Sequence, residues 1–547
     1  MEDYTELSSY TKLAEHYKKT AKKIDLCKEF NENSDRQATF CRKNTFENNS
    51  GNTAKIIFDF SKNLIDKETF SLLLEFAEEV KLKEYIECFF SGAVKKSIKC
   101  TKSQKKKKYQ DDLNYETDLN ISTICENMKK FSEDICSQNR LSVYGSIYSS
   151  IVIIGIKSSN VNYGIVSNAF SNVGATPILY FAGNTKGSRI EDILKKIDFK
   201  TTLFIISCKN FTDKDTILSA EAAKNFIKDS CSNVIDSSDI TSYNIISFDS
   251  YMKTNFVAIS NNRKLVKDFG ISDSNIFDFC DWIDDRVCSF WTEMILPMSI
   301  RIGFNNYYMF LQGCYSMNMH FRYTPIKDNM PVIMALLDFW YNDFWGAKTF
   351  PILPYDHRLA TFATNFQRID TESEKKSSIG VELYLDHQLG PPIWNEGGDN
   401  NRSMFYQLIN QGKKVIPCDL IAVVKKQKSD SNILHDKLAL SNFFALSEAL
   451  MEGSKDYETF TPVILRDLNK VDSQADTTIV NKAYAGNKPS SSIMIASDIT
   501  PTSNAQDIKL VKYLAKNILT ELNTDGKVNS HNESTNELIN FYKDNSK

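Results

Sequence analysis

Four short apolar runs, separated by amphipathic segments, follow one another along the chain from about Ser149. They are IVIIGI (151–156), PILYFA (177–182), TLFIISC (202–208) and FVAIS (256–260). Turn residues bound each run, which is typical of buried strands in a parallel sheet. The segment at 215–230 has one apolar helical face, made by Ile217, Ala220, Ala223 and Phe226. Because a crossover helix packs on a sheet through such a face, the alternation predicts a doubly wound α/β lobe with a mostly parallel sheet.

The same alternation starts again after a helical stretch at 290–346. Its strand candidates are TFPILPY (349–355), PPIW (391–394), KVIPCDLIAVV (414–424) and SSIMIAS (491–497). We therefore predict two α/β lobes with helical arms at both ends. The predicted boundaries are 1–120 for a helical N-terminal arm and loop, 121–300 for the first lobe, 301–520 for the second lobe and 521–547 for a C-terminal arm.

Charge and composition exclude several classes of partner. The 66 Lys and Arg residues nearly balance the 69 Asp and Glu residues, so no overall positive field favours nucleic acid or a membrane surface. The polar N-terminus lacks the apolar core of a signal peptide, and no stretch is long enough to span a bilayer. The twelve cysteines form no C-x-x-C pair, which argues against a zinc ribbon. We expect a cytoplasmic protein that takes a small ligand at a local site.

Ordered blocks of sequence resemble the glucose-6-phosphate isomerase family. They include FAGNTKGSRIEDIL, FVAISNNRKLVKDFGI, LPYDHRLATFATNFQRIDTES, FYQLINQGKKVIPCDLI and SNFFALSEALMEG. The resemblance implies two sugar-isomerase (SIS) α/β lobes, a hexose 6-phosphate substrate, a homodimer, and no metal or other cofactor. The apolar segment MALLDFWYNDFWG (334–346) favours the same dimer, since an exposed apolar face needs cover.

The family's chemistry interconverts glucose 6-phosphate and fructose 6-phosphate, and it assigns roles to three residues. A carboxylate moves a proton between C1 and C2 through a cis-enediol while a nearby cation stabilises the developing charge. RIDTES resembles the motif that carries this base and supplies Glu372, which lies just after a predicted helix. DWIDDR resembles the motif of the enediol-stabilising arginine and supplies Arg286, although an ion pair with a neighbouring aspartate is an equal alternative. IKLVK ends at Lys512, which resembles the lysine near the ring oxygen, although a solvated lysine on a helix surface is equally consistent with the pattern.

The segment CKNFTD (208–213) resembles the family's phosphate-binding loop, whose pattern is SKTFTT. Lys209 and Thr212 are retained there, and Ser159 is retained in GIKSS (155–159). Three hydroxyl residues of the family loop are replaced, by Cys208, Asn210 and Asp213. A carboxylate about 4 Å from a phosphate charge costs roughly 1 kcal/mol in water and up to about 4 kcal/mol at a protein-like dielectric. The loop therefore predicts weakened phosphate binding.

Two further positions depart from the family pattern. Ser403 occupies the place of the ring-opening histidine, and a hydroxyl cannot shuttle protons near neutral pH as imidazole does. An N-cap role explains Ser403 equally well, because it precedes an amphipathic helix. Arg368 replaces a substrate-side glutamine. These changes leave two hypotheses open: a working isomerase with impaired activity, or an inactive paralogue that keeps the fold for binding or subunit interaction.

Overall fold

The structure is a computed structural model. It describes residues 4–47, 53–90, 113–155, 177–182, 188–236, 246–278, 293–356, 359, 393–395, 409, 412, 414–424, 433–453, 486–497 and 532–545. The chain divides into two compact units. The first unit combines Met1–Thr101 with Tyr315–Lys547, and the second unit is Lys102–Cys314.

The described strands belong to two sheets. In chain order they are β1 Cys41–Glu47, β2 Thr53–Asp59, β3 Ser150–Gly155, β4 Ile178–Ala182, β5 Thr202–Ser207, β6 Phe256–Ile259, β7 Ile276–Phe277, β8 Phe350–Pro354, β9 Ile393–Asn395, β10 Cys418–Val424 and β11 Ser490–Ser497. The described helices are α1 Ser8–Lys19, α2 Leu26–Glu32, α3 Arg36–Thr39, α4 Lys67–Glu79, α5 Leu82–Phe90, α6 Leu113–Cys136, α7 Ser188–Leu194, α8 Lys214–Asp236, α9 Phe248–Asn255, α10 Arg263–Phe269, α11 Ile295–Ile302, α12 Phe304–Tyr323, α13 Met330–Asp343, α14 Ile433–Glu452 and α15 Glu533–Asn545. None of them combines the length and the apolar content that a membrane crossing needs.

The sheet of the second unit has the order β4-β3-β5-β6-β7 over the described residues, and every neighbouring pair is parallel. Alternate residues of its central strands face opposite layers. Leu203 and Ile205 join a cluster with the apolar face of α11, whereas Phe204 and Ile206 join a cluster with α8 and α9. Burial on both faces is why these strands have continuous apolar sequences. The predicted doubly wound α/β arrangement is confirmed.

The helix α8 covers one face of this sheet as the sequence predicts. Ala220, Ala223 and Ile227 are fully buried on it, while Ile217 and Phe226 are half-buried against the same cluster. The small alanines allow the helix axis to lie close to the strands, and the larger residues fill the space at either side. The N-terminus of α8 therefore lies where β5 ends, which positions the candidate site.

The sheet of the first unit has the order β1-β2-β11-β10-β8-β9 over the described residues. Strands β8 to β11 pair in parallel, but β2 runs antiparallel to β11, and β1 runs antiparallel to β2. The prediction of a helical arm and loop for the N-terminal region was therefore wrong for β1 and β2. The polar sequence CRKNTFE gives β1 no strand signal of its own, because an edge strand is stabilised by pairing with its neighbour rather than by burial.

The apolar segment at 334–346 is covered within the first unit. Met330, Val332, Ile333, Leu336, Leu337, Trp340 and Tyr341 are buried along α13. The Trp340 indole donates to the Leu64 carbonyl at 3.1 Å, and the Tyr341 hydroxyl donates to Asn63 Oδ1 at 3.0 Å. The expectation that this segment needs a second subunit as cover was therefore wrong, because its apolar surface faces a core of its own unit.

Candidate functional site

The carboxyl ends of β5, β6 and β7 lie side by side at one edge of the second unit's sheet. Residues 208–213, which we call the β5 loop, connect β5 to α8, and residues 260–262, which we call the β6 loop, connect β6 to α10. Ligands of parallel α/β sheets bind at this edge because the loops there converge. The β5 loop is the segment in which the sequence predicts phosphate binding.

Hydrogen bonds from the β6 loop fix the backbone of the β5 loop. The Lys209 carbonyl accepts from the Asn261 amide at 2.9 Å and from Ser260 Oγ at 3.1 Å. The Asn210 carbonyl accepts from Asn262 Nδ2 at 3.3 Å. Two successive carbonyls of the β5 loop are therefore bonded to the β6 loop.

Phe211 anchors the β5 loop from within. Its backbone has φ +55°, a left-handed conformation that costs a non-glycine residue about 1 kcal/mol or more. Its ring is buried and packs edge-on against Phe269, with ring centroids 5.7 Å apart. Its amide closes a tight turn by donating to the Cys208 carbonyl at 3.1 Å. Burial of the ring offsets the backbone strain and holds the loop in a defined conformation.

Asp213 is the N-cap of α8. Its Oδ2 accepts hydrogen bonds from the Thr216 amide at 2.9 Å and from Thr216 Oγ1 at 2.7 Å, while its carbonyl accepts from the Ile217 amide at 3.0 Å. The negative charge also interacts favourably with the positive end of the helix dipole. The N-terminus of a helix is a ready site for an anion. In this chain a carboxylate of the protein itself already occupies part of it.

The structure separates the remaining residues of the β5 loop into two groups. Cys208 is only 2% exposed and belongs to the core cluster with Ile206 and Phe204, so its thiol lies in the core and not at the surface that a ligand reaches. Asn210 and Thr212 are exposed, and Lys209 is half-buried. The accessible surface of the loop therefore carries one cation, one amide, one hydroxyl and the capping carboxylate of Asp213.

The other predicted site residues lie outside the described part of the chain. They are Ser159, Arg286, Arg368, Glu372, Ser403 and Lys512. The structure therefore brings together Lys209, Thr212, Cys208, Asn210 and Asp213, which the sequence already joins in one loop. The assigned roles of the other six residues stay predictions.

Sequence reasoning missed the residues that support the loop. Ser260 and Asn262 follow the strand FVAI directly, and a polar run at the carboxyl end of a buried parallel strand is a usable signal for a site. Gly155, the first residue of GIKSS, pairs with Ser207 in the sheet, and a Cβ at position 155 would lie 3.0 Å from the Ser207 carbonyl oxygen. A side chain at this position would therefore displace the end of β5.

Arg263, the first residue of α10, connects the start of that helix to the end of β7. Its guanidinium makes paired hydrogen bonds to the Asp278 carboxylate, at 3.0 Å from Nε and 2.9 Å from Nη2, and it also bonds Asp273 at 3.1 Å. Asp278 and then Asp273 raise the pKa of Arg263, while Lys267 and then Arg263 lower the pKa of Asp273. A bidentate pair within a charge network holds its geometry better than a single exposed ion pair does. The end of β7 is thus tied to the start of α10, directly after the β6 loop.

Comparison with known proteins places this chain in a family. The model of the phosphoglucose isomerase family matches residues 59–508. A glucose-6-phosphate isomerase from Kluyveromyces lactis is 32% identical over 577 aligned residues, which cover 99% of this chain and 97% of that protein. The crystal structure of a glucose-6-phosphate isomerase from Chlamydia trachomatis superimposes with a TM-score of 0.68 at 17% identity, covering 100% of this chain and 92% of that one, and so shares its fold. The chain belongs to the phosphoglucose isomerase family.

Proposed function

We propose that this protein interconverts glucose 6-phosphate and fructose 6-phosphate in the cytoplasm. The single observation that carries the proposal is the β5 loop, which lies at the carboxyl end of a parallel sheet, precedes the N-terminus of a long helix and contains Lys209. Membership of the phosphoglucose isomerase family supports the same substrate class. Lys209, Thr212 and Ser159 bind the phosphate in this proposal.

The chemistry of the proposal needs acid-base groups and no other reactant. The sugar ring opens first, which exposes the carbonyl group. Glu372 then removes a proton from the carbon next to the carbonyl group and returns it to the neighbouring carbon, through a cis-enediol. Arg286 stabilises the negative charge that develops on oxygen, and Lys512 contacts the ring oxygen. A coupled assay with purified protein and saturating fructose 6-phosphate tests the proposal, and formation of glucose 6-phosphate above the rate without protein is the expected result.

We expect Asp213→Thr to bind hexose 6-phosphates more tightly than the wild type. Threonine also caps helices, so the start of α8 keeps an acceptor while the negative charge is removed. Relief of about 1 to 4 kcal/mol of repulsion corresponds to a dissociation constant lower by about fivefold to several hundredfold. Isothermal titration calorimetry with fructose 6-phosphate measures the change.

The matched control for this variant is Asp215→Asn. Asp215 is exposed on the first turn of the same helix, so its substitution removes one negative charge nearby without touching the cap of α8. We expect a much smaller change in affinity from this control. Equal affinities of wild type and Asp213→Thr would refute the electrostatic argument. An equal gain in both variants would show that the effect comes from the overall charge and not from the capping carboxylate.

We propose that the protein is a homodimer, as the family resemblance implies. Tyr315 and Tyr323 on α12 leave 55% and 66% of their surface exposed, and large aromatic side chains are enriched where subunits meet. Sedimentation velocity at micromolar concentration is expected to give the mass of two chains. A sedimentation coefficient of a 62.5 kDa monomer across that range would contradict the proposal.

A further inference from the structure

Ser260 bonds to two other chain segments and to its own loop at the carboxyl edge of the second unit's sheet. Its amide donates to the Phe277 carbonyl of β7 at 2.9 Å. Its hydroxyl donates to the Lys209 carbonyl of the β5 loop at 3.1 Å and accepts from the Asn262 amide at 3.3 Å. The residue has no exposed surface. A buried hydroxyl with both a donor and an acceptor partner is held in one orientation.

The hydrogen bond from Ser260 to the Lys209 carbonyl determines the orientation of the peptide group between Lys209 and Asn210. The C=O and N–H groups of a trans peptide point in opposite directions. Because the Lys209 carbonyl points toward Ser260 and Asn261, the Asn210 N–H points away from the β6 loop. Within the described part of the chain this N–H has no hydrogen-bond acceptor, and Asn210 itself is exposed. The peptide between Lys209 and Asn210 thus presents a backbone donor to solvent.

We infer that Ser260 is a positioning residue that orients the β5 loop for the phosphate group of the substrate. This inference rests on the proposed function, because it takes the β5 loop as the phosphate site. Ser260 does not touch the ligand. It fills one of the two acceptor positions of the Lys209 carbonyl, and Asn261 fills the other. Without the hydroxyl, one hydrogen bond fewer orients this peptide, and part of the binding energy is spent on ordering it.

Asn262 also positions the β5 loop, and its contact with the loop can be removed without removing the cap of α10. Its Oδ1 caps α10 by accepting from the Leu265 amide at 3.2 Å, and its Nδ2 donates to the Asn210 carbonyl. Asn262→Ser keeps a capping oxygen but removes the amide donor. This variant therefore loosens the β5 loop while the start of α10 stays capped. It serves as a second test if Ser260→Ala fails to fold.

Ser260→Ala and Asn262→Ser are each expected to weaken binding of inorganic phosphate by about three- to tenfold, as the loss of one net hydrogen bond implies. Titration calorimetry measures this directly, without turnover. Ser260→Thr retains the hydroxyl and is expected to restore much of the affinity. Ser274→Ala, an exposed serine of the same unit, is the control and is expected to bind as the wild type does. In the coupled assay the loss is expected in KM, with kcat within about twofold of the wild type, because the proton-transfer residues are unchanged.

The outcomes distinguish this inference from the proposed function. If the wild type binds phosphate and both loop variants bind it equally well, the inference about Ser260 is wrong and the phosphate site stands. If kcat falls while KM is unchanged, Ser260 does not act through phosphate binding, and the inference is again wrong. If the wild type binds neither inorganic phosphate nor fructose 6-phosphate, the β5 loop is not a phosphate site, and the proposed function fails together with the inference.

Discussion

Glu372→Gln is expected to abolish any isomerase activity of this protein. Glutamine has nearly the size of glutamate but cannot accept a proton, so the cis-enediol step of the proposed mechanism would lose its base. General acid-base catalysis by one positioned group typically contributes about 10²- to 10⁴-fold, and we expect a loss in kcat of at least this size. The coupled assay with saturating fructose 6-phosphate measures it. Substrate affinity is expected to change little, which calorimetry on the same variant checks.

The companion variant Ser403→His is expected to increase turnover. In the proposed mechanism the base for isomerisation is retained as Glu372 and Ser403 replaces the ring-opening residue, so the enediol step would depend on the small open fraction of the sugar. An imidazole at position 403 supplies the missing proton shuttle and is expected to recover a measurable part of about 10²- to 10⁴-fold. Ser403→Asn is the matched control, because asparagine caps a helix as serine does but has no basic nitrogen.

The wild type and these three variants separate an impaired isomerase from an inactive paralogue. An impaired isomerase turns over slowly, gains from Ser403→His and loses activity with Glu372→Gln. An inactive paralogue shows no turnover in any variant. Phosphate binding by such a protein can still be measured by calorimetry. Absence of activity in both wild type and Ser403→His would overturn the proposed reaction.

The sequence predicted the parallel strands well because their signal is local. Buried strands such as β3 and β5 are apolar on both faces, so a continuous apolar run in the sequence is enough to indicate them. The strand β1 is different. Its sequence is mainly polar, and it exists as a strand because residues 41–47 pair with residues 53–59 in an antiparallel ladder. Such a strand forms because two segments pair, so it cannot be predicted from the residues of one segment alone.

The candidate site divides in the same way. The sequence identified the β5 loop and the position of Asp213, but not that the carboxylate caps α8 through Thr216. Nor could it show that the Cys208 thiol belongs to the core, since the loop motif of the family has a hydroxyl there. The support from Ser260 joins residues about fifty positions apart. Long-range hydrogen bonds of this kind need the fold before they can be recognised.

A buried carboxyl group in the first unit predicts an unusual dependence of stability on pH. Asp419 lies on β10 with 3% of its surface exposed, paired in the sheet with Ile352 and Ser491. Burial raises the pKa of Asp419 from 3.8 to about 7, although a hydrogen bond with the Ser491 side chain pulls the pKa down. Ser491 in turn accepts a hydrogen bond from Asn63 Nδ2 at 3.2 Å. Asp419 therefore titrates near neutral pH inside a polar network.

The direction of the effect follows from the two pKa values. The folded state holds the Asp419 proton up to about pH 7, whereas the unfolded chain releases it near pH 4. Between these values the folded state binds more protons, so the free energy of unfolding falls as pH rises. The contribution is fully present below about pH 4 and is lost above about pH 7. A difference of about three pKa units corresponds to roughly 4 kcal/mol.

Asp419→Asn is expected to remove this pH dependence. Asparagine resembles the protonated carboxyl group in shape and in its donor, so the variant is expected to have nearly wild-type stability at pH 5. At pH 8 it is expected to be more stable than the wild type by roughly 2.7 kcal/mol, because about two pKa units of the linkage lie between pH 5 and pH 7 and the wild type must then bury a charge. Urea denaturation at both pH values measures the difference in midpoint, and Asp544→Asn, on an exposed residue of the same unit, is the control that should keep the wild-type pH profile. If Asp419→Asn shifts the midpoint equally at pH 5 and pH 8, the carboxyl group does not change its protonation between them, and the buried network around Ser491 holds Asp419 in one charge state throughout.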